Sequence, residues 1–388
     1  MSRPRTVSSL RRHLSTPGDT RVGRALLNWF RKHQRPLPWR ASRDPYRVWI
    51  SEVMLQQTQV ATVIPYYQRF LDTFPTVRDL AGAPLERVLQ LWSGLGYYRR
   101  ARQLHAAAGR LVAEFDGRFP KTLEEAKRLP GVGDYTAAAV LSIAYGMPIV
   151  ALDGNVARVV ARIEALPGSL VQLPFRKAVE SKLAALIPGK GSRAHPGDFN
   201  EALMELGQTI CLPRSPRCPV CPIRRTCRAC ASGNPESFPS PRPRRSSEVT
   251  HLAAALISSP ARARRSAYRA SAPGNGERSI LLTRGLDDGL MTDLWNFPSS
   301  FGSSAADARS HLEAKLADLC GLQVSVGAEV TRVRHNVTYR QIQVRVYRAS
   351  VPSLRSNGCR WLSISQLKRA AVSQLARKIA EATAAALN

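Results

Sequence analysis

The chain has 388 residues, with 57 Lys plus Arg against 28 Asp plus Glu, a formal net charge of +29 and a sequence pI near 11.0. That length predicts two domains, and 44% apolar residues suffice for ordinary globular cores. No apolar run reaches the ~20 residues that cross a bilayer; the excess of positive charge points to a polyanion, most often nucleic acid, or simply to an arginine-rich composition.

The first 14 residues, MSRPRTVSSLRRHL, are rich in Arg and Ser and carry no acid. They read as part of a basic tail over residues 1–19, with an organellar transit peptide as the alternative; no secretory signal is visible. From residue 20 to 230 the apolar spacing is helical. TRVGRALLNWFRKHQ puts Val22, Leu26 and Phe30 on one stripe, and APLERVLQLWSGLGYY, TLEEAKRLPGVGDYTAAAVLSIAYG and DFNEALMELGQTIC repeat the period. Residues 231–248, dominated by Pro, Ser and Arg, read as a linker. Between 241 and 280, eight arginines stand against Glu248 and Glu277, so this stretch could track a phosphate backbone. Beyond 249 short strands appear in HLAAALIS, RSILLTRG and RQIQVRVYRA, the last with Ile342, Val344 and Val346 on one face. With helices in SHLEAKLADLCG and the last 20 residues, this half predicts a mixed α+β domain.

Four stretches carry chemistry. In WISEVMLQQT, Asp44 and Pro45 start a helix on which Val48, Glu52 and Leu55 share an apolar face. No Lys or Arg lies within a turn on that face, so the carboxylate of Glu52 is either misplaced or employed. In LPGVGDYTA, Gly131 and Gly133 free backbone N–H groups at a helix start. That pattern fits a DNA-gripping helix-hairpin-helix or an ordinary glycine-capped connection. In LDGNVARVVAR, Asp153 and Asn155 open another helix. Alone, Asp153 reads as an N-cap; its place about twenty residues after the glycine turn favours a functional role. Cys211, Cys218, Cys221 and Cys227 are spaced C-x6-C-x2-C-x5-C, which suits a cubane iron–sulfur cluster, with zinc as the rival. Cys230, Cys320 and Cys359 show no pattern, and the clustering argues for metal ligation in a reducing compartment rather than disulfides.

With LPWR (37–40), VWISEVMLQQTQVATVIPYY, GLGYYRRAR, LDGNV and FNEALMELG added to these, the chain resembles the adenine DNA glycosylases of the MutY family, within the helix-hairpin-helix/endonuclease III superfamily, over roughly residues 20–388. The resemblance implies an all-α helix-hairpin-helix glycosylase domain over 20–230, with a 4Fe-4S cluster loop at 211–227. It implies a linker at 231–248 and a C-terminal α+β Nudix-like lesion-recognition domain over 249–388. The implied activity is a monofunctional glycosylase of base excision repair. It removes adenine mispaired with 8-oxoguanine or guanine from double-stranded DNA, acting as a monomer in a bacterial cytoplasm, on the nucleoid.

By the same resemblance Glu52 protonates adenine N7, and an apolar setting would keep its carboxyl protonated. Asp153 stabilises the oxocarbenium-like sugar. Tyr135 stands where bifunctional relatives carry a Schiff-base lysine, which predicts base removal without efficient strand cleavage. Gln57 and Tyr97 wedge the duplex, Trp39, Arg40 and Glu201 line the adenine pocket, and Thr58 touches the opposite base. The Phe-Ser-His tract expected to contact 8-oxoguanine aligns with HNVTYR, so Val337, Thr338 and Tyr339 replace it; Thr338 keeps a hydroxyl. SHLEAKLADLCG offers only Glu313 and Asp318, too few acids for Nudix pyrophosphate hydrolysis. Two alternatives stand: a thymine or uracil mismatch glycosylase, and a non-catalytic DNA-binding protein with a structural cluster.

Overall fold

The computed structural model describes residues 21–188, 194–240, 246–259, 278–286, 291–292, 294–321, 324–337, 339–351, 358–367 and 369–387. The chain divides into two compact units, one from residues 1–82 with 103–243, the other from 83–102 with 244–388. In chain order the first helices are α1 (Arg21–His33), α2 (Pro45–Leu55), α3 (Val60–Thr73), α4 (Val77–Gly82), α5 (Leu85–Trp92) and α6 (Arg99–Phe115). They are followed by α7 (Leu123–Lys127), α8 (Asp134–Tyr145), α9 (Gly154–Glu164), α10 (Leu173–Leu186), α11 (Pro196–Thr209) and the single turn α12 (Arg228–Ala231). No helix among the described residues is long and apolar enough to cross a membrane.

In the first unit α2 and α8 form the centre. Val48 to Met54 of α2 and Thr136 to Ile143 of α8 are buried without a break, the mark of helices covered all round. Ala137, Ala138 and Ala139 keep α8 thin, so α2 and α11 pack directly against it. Asp44 caps α2 by accepting from Arg47 N at 2.9 Å, with Pro45 in the first turn; such a cap stabilises a helix by about 1 kcal/mol. Gly146, at φ 65°, ends α8 in the left-handed conformation that glycine adopts without strain.

The second unit contains β1 (Glu248–Ile257), β2 (Ser279–Arg284), β3 (Trp295–Asn296), β4 (Ser299–Gly302), α13 (Ala305–Cys320), β5 (Glu329–Val337), β6 (Arg340–Ala349), β7 (Cys359–Ser363), α14 (Ile364–Leu367) and α15 (Gln374–Leu387). One sheet runs β4-β1-β6-β5 with β1 parallel to β6; a smaller one runs β3-β2-β7. Leu252, Ala254 and Leu256 of β1 pack with α15, while Ala253, Ala255 and Ile257 pack with α13. Helices on both faces explain why this strand reads as a continuous apolar run. On α13, Glu313 is tied up structurally, accepting from Val326 N at 3.0 Å and pairing with Arg309 at 3.5 Å.

Two boundaries differ from the sequence expectation. Residues 83–102, read above as part of a helical domain over 20–230, group with the α+β unit. There Ser93 Oγ donates to Val372 O at 2.8 Å, and Glu86 accepts from Arg360 Nη1 at 2.8 Å. An amphipathic helix declares that it has a buried face, not which core it joins. Residues 231–240 are not linker either: Arg162 Nε donates to Phe238 O at 3.0 Å, and Ser240 N donates to Gly168 O at 2.8 Å. Backbone carbonyls and amides make these bonds, so a Pro- and Ser-rich composition does not reveal them.

Candidate active site

A cleft of about 1720 Å³ opens in the first unit, lined among others by Glu52, Gln57, Thr58, Gly131, Gly133, Tyr135, Asp153 and Asn155. Glu52 lies on buried α2 with 6% of its surface exposed. Tyr135, in the first turn of α8, donates its hydroxyl to Glu52 Oε2 at 2.7 Å. Burial pushes the Glu52 carboxyl up most strongly, Tyr135 opposes this, the negative charges of Glu201 and Asp153 reinforce it, and Arg40 opposes it. The result is a carboxyl raised to about 7. Burial also raises the Tyr135 phenol well above its ordinary value, so it remains a donor.

Asp153 is both a cap and a cleft residue. Its Oδ1 accepts from Val156 N at 2.7 Å at the start of α9, and its Oδ2 accepts from Asn155 Nδ2 at 2.9 Å. Asn155 Oδ1 accepts from Arg158, which also donates to Gly207 O and Cys211 O. Gly207 of α11 fits against this corner, where an added Cβ would stand 2.8 Å from Asn155 Cβ.

Glu52 also faces a smaller pocket with Trp39, Arg40 and Glu201. The Trp39 ring meets Tyr67 edge-on with centroids 5.5 Å apart. Arg40 is held on three sides: Nε donates to Glu201 at 3.1 Å, Nη2 to Glu205 at 2.9 Å and Nη1 to Arg35 O at 3.1 Å. Burial raises Glu201. For Glu205 burial acts upward too, but the bonds and charges of Arg35 and Arg40 outweigh it and hold the carboxyl low. Sequence reasoning missed Glu205 and Arg35; the only signal was the four-residue spacing of Glu201 and Glu205, which puts both on one face of α11.

At the cleft rim Gln57 adopts φ 57°, a left-handed conformation that costs a side-chain-bearing residue roughly 1–3 kcal/mol. Thr58 N bonds to Leu55 O at 3.2 Å in the same turn. In the turn between α7 and α8, Gly131 has φ +76°, and an added Cβ would lie 2.8 Å from Gln103 Cβ. Gly133 has no such constraint and caps α8 with φ −93°. Gly131→Ala is therefore expected to destabilise the turn by roughly 1–3 kcal/mol and to weaken binding of matched and mismatched duplexes alike, as read by fluorescence anisotropy. Unchanged Kd values on both duplexes would overturn this.

Tyr97 belongs to the second unit. It has φ 49°, is 44% exposed and carries the Arg100 guanidinium 5.3 Å from its ring centroid. Tyr97 is therefore not the core aromatic that its neighbours in sequence would suggest. Val337 ends β5 and Tyr339 is 36% exposed; Thr338 lies outside the described residues.

Cys211, Cys218, Cys221 and Cys227 line a small pocket with Val159, Ile163, Ile210 and Ile223, and Cys230 joins them. Arg162 of α9 donates Nη1 to Cys211 Sγ at 3.4 Å, while Cys227 Sγ donates to Arg162 O at 3.3 Å. Burial raises the Cys221 thiol to about 12. Among the described residues no group of three or more His, Cys, Asp or Glu is placed so that it could hold a metal ion.

Residues 50–188 match the family model of the HhH-GPD superfamily base excision DNA repair protein, and residues 274–382 that of the NUDIX domain. The chain is 35% identical over 407 residues to the adenine DNA glycosylase of Mus musculus, covering 91% of this chain and 76% of that one. Against the adenine DNA glycosylase of Homo sapiens it is 36% identical over 399 residues, covering 92% and 72%. The chain belongs to the adenine DNA glycosylase family. An adenine DNA glycosylase of Buchnera aphidicola is 42% identical over 205 residues, which cover 53% of this chain and 57% of its own. Membership carries the reaction: adenine is removed from DNA by hydrolysis of its N-glycosidic bond, in base excision repair. It also sets aside the thymine or uracil glycosylase and the non-catalytic DNA-binding protein as readings of the sequence.

Proposed function

We propose that the chain removes adenine lying opposite 8-oxoguanine or guanine, with Glu52 as the general acid and Asp153 as the stabilising carboxylate. The observation that carries this is the 2.7 Å bond from Tyr135 to a buried Glu52 whose carboxyl is raised to about 7. Such an acid still holds its proton near neutrality and can pass it to N7 of an extruded adenine, turning a poor leaving group into a good one. The sugar left behind is electron-deficient, and the carboxylate of Asp153, fixed on the same cleft by Val156 N and Asn155, opposes that charge. Tyr135 has no amine for a Schiff base, so the strand stays intact. Trp39, Arg40 and Glu201, around the pocket next to Glu52, would receive the base and bond its edge. Gln57 and Tyr97 would fill the gap it leaves, repaying part of an extrusion cost of a few kcal/mol, and Thr58 would meet the opposite base.

The Nudix-like half, with Val337 at the end of β5 and Tyr339 just before β6, would read that opposite base, Thr338 included by sequence. The four cysteines Cys211, Cys218, Cys221 and Cys227 would hold a 4Fe-4S cluster. A pocket lined by thiols and apolar side chains, with a guanidinium N–H on one sulfur, offers the donor set that an iron–sulfur cluster takes. The cluster would fold the loop that carries Arg214, Arg217, Arg224 and Arg225.

Single-turnover assays on duplexes with adenine opposite 8-oxoguanine, guanine, cytosine or thymine test the proposal. Fastest release from the first two, with no strand nicks before alkali, is expected. Equal rates on all four duplexes, or nicking as fast as base release, would refute it.

A further inference from the structure

Helix α11 carries two acids one turn apart, and they are placed differently. Glu201 lines the pocket beside Glu52; Glu205 lines neither that pocket nor the cleft. The Glu205 side chain is 1% exposed, and cations take both of its oxygens. Arg35 Nε donates to Oε1 at 2.6 Å, Arg35 Nη2 to Oε2 at 2.9 Å, and Arg40 Nη2 to the same Oε2 at 2.9 Å. Gln208 Oε1 accepts from Arg35 Nη2 at 2.7 Å and steadies the fork from the next turn of α11. Arg40 lies over the Phe30 ring, 5.0 Å from its centroid, and hands the constraint on through the 3.1 Å bond from its Nε to Glu201. A forked guanidinium–carboxylate pair of this kind fixes geometry as well as charge.

We propose that Glu205 is a positioning residue for adenine release: without touching the base, it holds Arg40, and through Arg40 the Glu201 carboxylate, where the extruded base is received. The proposal rests on the reading of that pocket and of Glu52 given above. Glu205 also balances charge. Glu52 is faced by Tyr135 from α8, Asp153 at the start of α9, Arg40 before α2 and Glu201 on α11, with Arg35 on the same pocket; α3 gives the pocket only Val60. With Glu205 neutralised, two guanidiniums stand against Glu201 alone. The surplus positive charge favours the ionised form of Glu52, so the acid holds its proton less well.

The test uses the full chain in single-turnover release of adenine opposite 8-oxoguanine, with enzyme in excess, at several pH values. Glu205→Gln is expected to release adenine about 10²-fold more slowly at saturating enzyme. The enzyme concentration giving half the maximal rate should stay within about threefold of the parent's, and the pH inflection should move below it. Arg40→Lys cannot make the fork; adding Glu205→Gln to it should slow release by less than about threefold more, because the two act as one unit. A merely structural carboxylate would lower the melting temperature and leave the rate and inflection of the folded protein at parent values. That result, or losses that add fully in the double variant, would overturn the proposal. Should Glu205→Gln fail to fold, Arg35→Lys decides, since it keeps the charge and breaks the fork: slower release at an unchanged half-saturating concentration supports the proposal, and a parent rate overturns it. A parent chain whose own rate is flat in pH would overturn the Glu52 reading itself, which is a different result.

Discussion

Glu52→Gln is expected to bind a duplex holding the target adenine as tightly as the parent chain and to release adenine about 10²–10⁴-fold more slowly. The amide preserves the shape of a side chain 6% exposed but has no proton to give. The parent rate should fall as pH rises through about 7, about tenfold per pH unit beyond it. Tyr135→Phe moves that inflection upward, because the Tyr135 bond favours the charged carboxylate. Stability follows the same group. Folded Glu52 keeps a proton that the unfolded chain releases above 4.5, so its contribution is complete below 4.5 and is lost as pH rises to about 7. The loss is about 3 kcal/mol. Between pH 5 and 8.5 the melting temperature of Glu52→Gln should therefore gain roughly 5–10 °C on the parent. Equal release rates for Gln and Glu, or a parent rate flat across pH 7, would sink the assignment.

Asp153→Asn is expected to slow adenine release by about 10²–10³-fold, with stability changed by only about 1 kcal/mol. The separation follows from its two duties. Asparagine accepts the Val156 N–H as well as aspartate does, so α9 keeps its cap. The cost comes at Oδ2, where Asn155 Nδ2 would meet an amide instead of a carboxylate oxygen. Asp153→Ala removes cap and charge together and should lose both stability and rate. A rate for Asp153→Asn within tenfold of the parent, at unchanged melting temperature, would leave Asp153 a cap and nothing more.

Glu52 was legible because an acid on an apolar helix face without a nearby cation is locally anomalous, and the anomaly persists in the fold. Asp153 was legible as a cap, and its neighbours could not tell that α8 and α2 would bring Tyr135 and Glu52 to the same cleft. Arg40 and Glu201 are 161 positions apart, and each alone reads as an ordinary surface charge. Only the packing of α11 against the segment before α2 makes them a pair. The helical and strand-rich halves were plain from apolar period; the bonds from Ser93 and Glu86 to the strand-rich part were not, since period carries no address. Cys230 was set aside because motif spacing counts along the chain, whereas in the fold it lines the same pocket as the four patterned cysteines.

Helix α9 has a consequence for anyone who would re-engineer this scaffold. Eleven residues, about 16 Å of rigid rod, carry the Asp153 cap at one end and Arg162 among the sulfurs toward the other. Arg158 ties the middle to the carbonyls of Gly207 and Cys211. Slack introduced in the thiol loop has nowhere to dissipate before it reaches Asp153. A transplanted loop has to come with its own rod, or the recipient's carboxylate will be left out of register.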